Sequence, residues 1–337
     1  MLRVGIIGCG GIAGTHASCY KNIPEAKVVA VADIVKERAD KMAELLGAEA
    51  HYNGDDIFKR EDIDVVDICL PTYLHCEYVL KAAEAKVHVL CEKPMALSLE
   101  EGKRMLKACD DAGVKLMIAH VLRFFPENEN AKTVIESGSI GEVKMIRTYR
   151  GGTHPGRVRE WYEDPKKSGG AILDMVIHDI DFLRSCFGPV KEVYAKGNML
   201  QGSKYNEYDL VMLEFENGVI AHLTADWSKP AGASFNTKME LVGTDGLVEY
   251  ELAKSIPLSF LAEVEENGGD KGVAVPESPL HPRSVPYAKE IIKFLEAVEE
   301  NKEVPVPTVD ALEAMNIALA AIKSIETGKP VKVQEVF

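Results

Sequence analysis

The sequence predicts an α/β protein: an N-terminal doubly wound parallel sheet, then an α+β domain with a large, mostly antiparallel open sheet. Three observations predict it. A glycine-rich turn, Gly8-Cys9-Gly10-Gly11-Ile12-Ala13, follows the first apolar run at once. Strand and helix signals then alternate over the first 120 residues, the pattern of a parallel sheet with helices on both faces. From about Arg123 β-like stretches dominate, with few helical interruptions.

The elements follow in order. Strands fit residues 2–8, 27–33, 64–70, 87–91 and 115–119, and helices fit 12–22, 35–47, 73–86 and 98–112. The last of these opens on Ser98 with Glu101 three residues later, a capping box. Further β-like stretches occupy 142–150, 190–198, 208–216, 218–227, 236–242 and 246–252, and Asn217-Gly218 between two of them signals a tight hairpin. One amphipathic helix, 170–187, interrupts this run. Residues 263–283, rich in Glu, Gly and Pro, read as an exposed loop, and helices at 286–300 and 308–327 follow. The expected domains are 1–122 and 123–337, with the helix at 308–327 able to pack back toward the first. Val211, Leu213 and Phe215 alternate with Met212, Glu214 and Glu216. That leaves a mixed second sheet face, suited either to water or to a second subunit, and a homodimer or homotetramer through this sheet is expected.

A chain of 337 residues exceeds the size of one hydrophobic core, in keeping with two domains. The formal charge of -14 argues against a nucleic acid or an anionic membrane as partner. No apolar run approaches the roughly 20 residues of a membrane span. The opening residues read as the first strand and turn of the fold rather than a signal peptide. Seven cysteines are scattered without a C-x-x-C pair, and Cys69 and Cys91 fall in or beside apolar strands. That is thiol usage of a reducing cytoplasm. No His/Cys cluster has zinc-like spacing, so no metal is expected.

The glycine turn has the G-x-G-x-x-A form of a dinucleotide site, the mark of a Rossmann domain. Gly8 permits the turn, Gly10 lets the backbone approach a pyrophosphate, and Ala13 lets the helix pack closely on the sheet. Gly11 and Ile12 open that helix, whose N-terminus faces the phosphates. Asp33 lies twenty residues after Ala13 and ends the second strand. An acid there accepts both ribose hydroxyls of NAD and repels a 2′-phosphate. Ile34 follows where NADP would call for a small or basic residue, whereas Arg38 is near enough to meet a phosphate. NAD is favoured over NADP.

Two further motifs carry chemistry. Glu92-Lys93-Pro94 ends the run Val87-His88-Val89-Leu90-Cys91, and ligands of parallel sheets bind beyond the carboxyl ends of strands. Asp174 and His178 stand four apart in the helix at 170–187, on one face, with Asp181 continuing the stripe. Leu173, Ile177, Ile180 and Leu183 mark its buried side. Such a stripe is commonly a solvated helix face. Alcohol oxidation, however, needs a base near neutrality, which histidine supplies, and a donor such as lysine to steady the oxygen. Lys93 comes from the first domain and Asp174 and His178 from the second, the layout of an interdomain substrate site. Arg123 and Phe124 fall at the domain junction, His154, Arg157 and Trp161 on the segment before the helix, and Trp227 at a strand end. Each is a candidate substrate contact beside an equally plain structural role.

Taken together, the glycine turn, Leu70-Pro71-Thr72-Tyr73-Leu74-His75, Glu92-Lys93-Pro94, and Gly169-Gly170-Ala171 leading into Asp174-x-x-x-His178-Asp179-x-Asp181 resemble the Gfo/Idh/MocA oxidoreductase family over essentially the whole chain. The resemblance implies a Rossmann domain, a large open sheet, and assembly as dimers or tetramers. It implies Lys93, Asp174 and His178 as catalytic residues, and Thr72, His75 and Glu92 near the cofactor. Two positions depart from the family's wording: Leu70 precedes Pro71 where threonine is common, and Val176 stands where many members carry a small residue. The Asp-Met-x-Ile-His-Asp-x-Asp wording resembles inositol dehydrogenases. The reading is an NAD-dependent dehydrogenase of a cyclic polyol, sugar or sugar derivative. Its rivals are a cofactor-retaining enzyme that cleaves glycosidic bonds and a non-catalytic nucleotide-binding regulator.

Overall fold

The computed structural model describes residues 1–157, 159–199, 207–252, 258–262 and 285–336, and the loop expected at 263–283 lies outside them. The chain begins β1 (Leu2–Ile7), α1 (Gly11–Tyr20), β2 (Ala26–Ala32), α2 (Lys36–Leu46), β3 (Glu49–His51), β4 (Val65–Ile68), α3 (His75–Glu84), β5 (His88–Glu92), α4 (Leu99–Ala112) and β6 (Leu116–Ala119). These six strands form one sheet in the order β3-β2-β1-β4-β5-β6, every pairing parallel. This is the dinucleotide-binding order, which reverses between β1 and β4. Only β3 escaped the sequence reading, because three residues, Glu-Ala-His, carry no strand periodicity. Ser98 caps α4 by accepting from the Glu101 backbone N–H, as its spacing predicts.

The second part runs α5 (Pro126–Ser137), β7 (Val143–Thr153), the single turn α6 (Pro165–Ser168), and then a helix in two parts. A π-helical segment, Ile172–Val176, leads into α7 (Ile177–Phe187). Strands β8 (Val190–Asn198), β9 (Tyr208–Phe215), β10 (Ile220–Lys229), β11 (Asn236–Gly243), β12 (Gly246–Glu251) and β13 (Leu258–Ala262) follow. Helices α8 (Pro286–Glu299) and α9 (Thr308–Thr327) and strand β14 (Val331–Lys332) close the chain. Helix α5 is an addition to the expected elements; its hydrophobic face is narrow, with only Asn128 and Ala131 buried. The sheet is eight-stranded, β13-β12-β11-β7-β10-β9-β8-β14, antiparallel except where β10 runs beside β7. Asn217 and Gly218 make the β9–β10 turn, with Gly218 at φ +85°.

The chain divides into two units, and the division is not the simple break expected near residue 122. Among the described residues, 1–124 group with 285–312, and 125–262 with 313–336. The reason lies in the first core. Val4, Ile6, Val28, Val65, Leu90 and Met117 of the parallel sheet share one buried cluster with Ala13 and Ala17 of α1 and Ile291, Phe294 and Leu295 of α8. A parallel sheet has to be covered on both faces, and α8 supplies part of that cover from far along the sequence.

In the second unit one sheet face is apolar. Val211, Leu213 and Phe215 are buried, as are Ala221, Leu223 and Ala225, while Met212 remains 49% exposed. The helix at 171–187 is tied to the sheet by an ion pair: Arg150 of β7 donates from Nε and Nη2 to the two carboxylate oxygens of Asp179, at 2.8 and 3.1 Å. Both residues are buried. Asp179→Ala, which strands the guanidinium, should cost about 3–5 kcal/mol, and pairing Arg150→Met with Asp179→Leu should recover most of it. Urea denaturation of the variants checks this, and a loss below about 1 kcal/mol for Asp179→Ala would show that the pair is solvated.

Candidate functional site

The nucleotide end of the first unit is built around Gly8. Its φ of +93° is open only to glycine, and a Cβ there would lie 2.5 Å from the Cys69 carbonyl oxygen. Gly10 differs. Its backbone (φ -81°, ψ -163°) suits any residue, and a Cβ placed on it meets no protein atom within 4 Å. It is the N-cap of α1 with no side-chain cap, so the first N–H groups of the helix face open space. That space and those donors fit a pyrophosphate. Gly11 is exposed at the helix start, Ile12 half-buried, and Ala13 fully buried against the sheet.

Asp33 follows β2 directly. One carboxylate oxygen accepts from the Cys9 backbone N–H at 2.8 Å, the other from Val35 N–H at 2.7 Å. The acid therefore fixes the glycine turn as well as offering its remaining lone pairs to ribose hydroxyls. Burial and Asp33 push the Cys9 thiol up to about 12, so this cysteine is not a nucleophile at neutral pH. Arg38 is exposed on α2.

Thr72, His75 and Glu92, expected near the cofactor, are buried, and at least two of them serve the frame beneath the site. The His75 ring is 2.8 Å from the Pro94 carbonyl through Nδ1 and 2.8 Å from the Leu70 carbonyl through Nε2. Burial holds its pKa below the ordinary value. Glu92 accepts from the Lys93 backbone N–H at 3.1 Å. Its other oxygen lies 3.3 Å from His16 Nε2, while His16 Nδ1 meets Asp67 at 2.8 Å. His16 was not singled out in the sequence; only its place on α1 beneath the ends of β4 and β5 reveals it. His16, Asp67 and Cys69 offer ligand-type atoms within 4.8 Å of one another, and the His16–Asp67 hydrogen bond accounts for that approach. Lys93 is half-buried, and the Lys93–Pro94 peptide is cis.

Burial alone would lower the His16 pKa, but Asp67 and Cys69 overcome it and hold it well above the ordinary value. The unfolded chain titrates near ~6.5, so the charged pair contributes full stability below that pH. The contribution is lost as pH rises through the higher folded value.

In the second unit the catalytic candidates share one helix. Gly169 and Gly170, at φ +76° and +72°, turn the chain into it. From Ala171 to Leu183 every residue is buried except Asp174 and His178. The expected solvated stripe is therefore absent: Asp181, its third member, is fully buried, and only the Asp–His pair reaches the surface. Asp174 lies inside the π-helical segment, a widened turn of a kind frequent at functional sites. The Tyr162 hydroxyl donates to Asp174 at 3.3 Å. Burial and the Asp174 charge raise the Tyr162 pKa well above its ordinary value, which keeps the phenol a donor.

An aromatic group surrounds this contact. Trp161 stacks on Tyr162 at 3.9 Å between centroids, and Trp227 meets both Tyr162 and His154 edge-on, at 5.9 and 4.7 Å. His154 and Trp227 are buried, Trp227 to 4% exposure, so Trp227 is a wall of the group rather than a free stacking platform. Trp161 and Tyr162 are half-buried. Tyr162 is the member the sequence reading missed, since a tyrosine beside a tryptophan carries no spacing signal. Arg123 belongs to the first unit and donates to Asp310 at 3.2 Å, with Phe124 buried beside it. Arg157 ends the 3-10 turn Pro155–Arg157, and its side chain lies outside the description.

Two outcomes follow from these geometries. Gly10→Ala should weaken dinucleotide binding by about tenfold or more while leaving the melting temperature nearly unchanged, because its methyl fills ligand space only; calorimetric titration beside thermal melts checks this. Urea stability should decline from pH 6 to pH 9 more steeply in the wild type than in His16→Gln; parallel slopes would mean that His16 is neutral in the fold.

The chain matches two family models, an oxidoreductase family with NAD-binding Rossmann fold over residues 2–120 and the GFO/IDH/MocA C-terminal domain over 128–249. It is 33% identical over 342 residues to the uncharacterized oxidoreductase YrbE of Bacillus subtilis, covering 98% of this chain and 96% of that one. It is 30% identical to the myo-inositol 2-dehydrogenase of Thermotoga maritima, covering 100% of each. Among solved structures, levoglucosan dehydrogenase in complex with NADH and levoglucosan superposes with a TM-score of 0.85 at 25% identity, over 99% of this chain and 100% of that chain. With matches over both units and nearly the full length, this chain belongs to the Gfo/Idh/MocA family of oxidoreductases, and its first unit is the family's NAD-binding Rossmann domain.

Proposed function

We propose that this protein is an NAD-dependent dehydrogenase that oxidises a secondary hydroxyl of a cyclic polyol, sugar or sugar derivative. The observation that carries the reading is the helix at 171–183, buried throughout except for one carboxylate and one imidazole a turn apart. Such a pair, at the open face of an otherwise buried helix, offers a ligand a base and a carboxylate together. Relatives named for inositol and levoglucosan oxidation act on ring-shaped polyhydroxy compounds, which supports the substrate class.

NAD, when bound, accepts the hydride that leaves the carbinol carbon. In this reading His178 takes the hydroxyl proton at a ring nitrogen. Asp174, held by the Tyr162 hydroxyl, orients a neighbouring substrate hydroxyl or the imidazole itself. Lys93 donates to the reacting oxygen and stabilises its developing charge. Trp161 offers an apolar ring face to the carbon skeleton. The same groups serve the reverse reaction. The half-exposed second sheet face, with Met212 at 49% exposure, supports a homodimer or homotetramer formed through it. Six buried thiols, at Cys9, Cys19, Cys69, Cys76, Cys91 and Cys109, support a reducing, cytoplasmic setting.

The test is NADH formation against a panel of inositols, aldoses and anhydrosugars, with NADP in parallel. Steady NADH production with NAD is expected for one ring-polyol class. Lys93→Ala should lower kcat by about 10²–10⁴-fold with NAD affinity near normal. Unchanged turnover would remove Lys93 from the mechanism, and bound NAD without net NADH release would favour the cofactor-retaining, glycoside-cleaving chemistry.

A further inference from the structure

The backbone around Lys93 is gripped from both sides. Its own N–H donates to Glu92, and one peptide later the Pro94 carbonyl is 2.8 Å from His75 Nδ1. The opposite nitrogen of the same ring is 2.8 Å from the Leu70 carbonyl, in the segment that follows β4. His75 is 1% exposed, so no ligand reaches its edge. Both partners are carbonyl oxygens, which only accept; a neutral ring donates to one of them and lies packed against the other. Glu92 and Lys93 are the charged groups that face it.

We propose that His75 is a positioning residue for Lys93: its buried ring, wedged between the Pro94 and Leu70 carbonyls, fixes the lysine relative to the segment after β4. A lysine side chain has four rotatable bonds and a compact charge, so anchoring its Cα narrows where the ammonium can reach. Glu92 anchors the N-terminal side of that Cα and His75 the C-terminal side. Misplacement of a catalytic group by about 1 Å costs roughly 10²-fold in rate. The inference rests on the dehydrogenase reading of Lys93, and its test separates the two.

The experiment is a double-mutant cycle on the full-length protein, with kcat expressed per NAD-binding site. His75→Ala should lower kcat about 10–100-fold with NAD affinity near normal, and His75→Gln, which keeps one donor, should recover part of it. In a Lys93→Arg background, which keeps a cation but not the wild-type placement, adding His75→Ala should change kcat by less than about twofold. Equal losses in both backgrounds, or an unchanged kcat in His75→Ala, overturn the proposal. If His75→Ala does not fold, His75→Gln carries the same cycle. Failure of the dehydrogenase reading has a different signature, normal turnover in Lys93→Ala with His75 intact.

Discussion

Asp179 is buried at the centre of the helix at 171–187, and Arg150 is the reason it can be. A buried carboxylate without a partner would either take up a proton or expel the helix from the sheet. The two-pronged bond from β7 opposes both, although burial still holds the Asp179 pKa above its ordinary value, and it fixes the helix in rotation as well as distance, because a bidentate fork tolerates little twist. His178 is the preceding residue and Asp174 lies one widened turn earlier. Their exposure follows from the burial of everything else between Ala171 and Leu183.

The first unit solves the same problem with other residues. Glu92 ends β5 and Asp67 lies one residue before the end of the adjacent β4, where a ligand site requires polar groups close to an apolar core. His16, rising from α1, faces both carboxylates, and Asp67 and Cys69 hold its pKa above the ordinary value. Glu92 in turn holds the Lys93 N–H, so the buried charge network and the candidate catalytic lysine share a residue. A buried ion pair adds little stability against an apolar replacement. Its use here is to hold a backbone segment at a defined place.

The glycine turn shows how two identical residues serve different ends. Gly8 answers to the protein, since its left-handed backbone and the Cys69 carbonyl both exclude a side chain. Gly10 answers to a ligand, since nothing in the chain occupies the space its Cβ would fill. Asp33 joins the two roles, bonding the turn through Cys9 while keeping acceptor capacity for ribose. The aromatic group in the second unit divides the same way: Trp227 and His154 are walls, and Trp161 remains partly open.

By itself the sequence determined most of the element order (β3, α5, β13 and β14 excepted), the parallel and antiparallel sheets, the glycine turn, Asp33, and the Asp174–His178 pair. Each is local: a period of two or 3.6 residues, a turn residue, or a spacing of four along one helix. It did not disclose α8 as part of the first core, His16 beneath Glu92, the Arg150–Asp179 pair, or Tyr162 against Asp174. Those partners stand 12 to more than 100 residues apart, and no single-chain pattern records which distant side chains meet. Nor did it distinguish a solvated stripe from a buried helix with two openings, because His178 and Asp181 are equally polar as letters. Only the packing around them, which buries Asp181 and leaves His178 open, decided which of the two is available for chemistry.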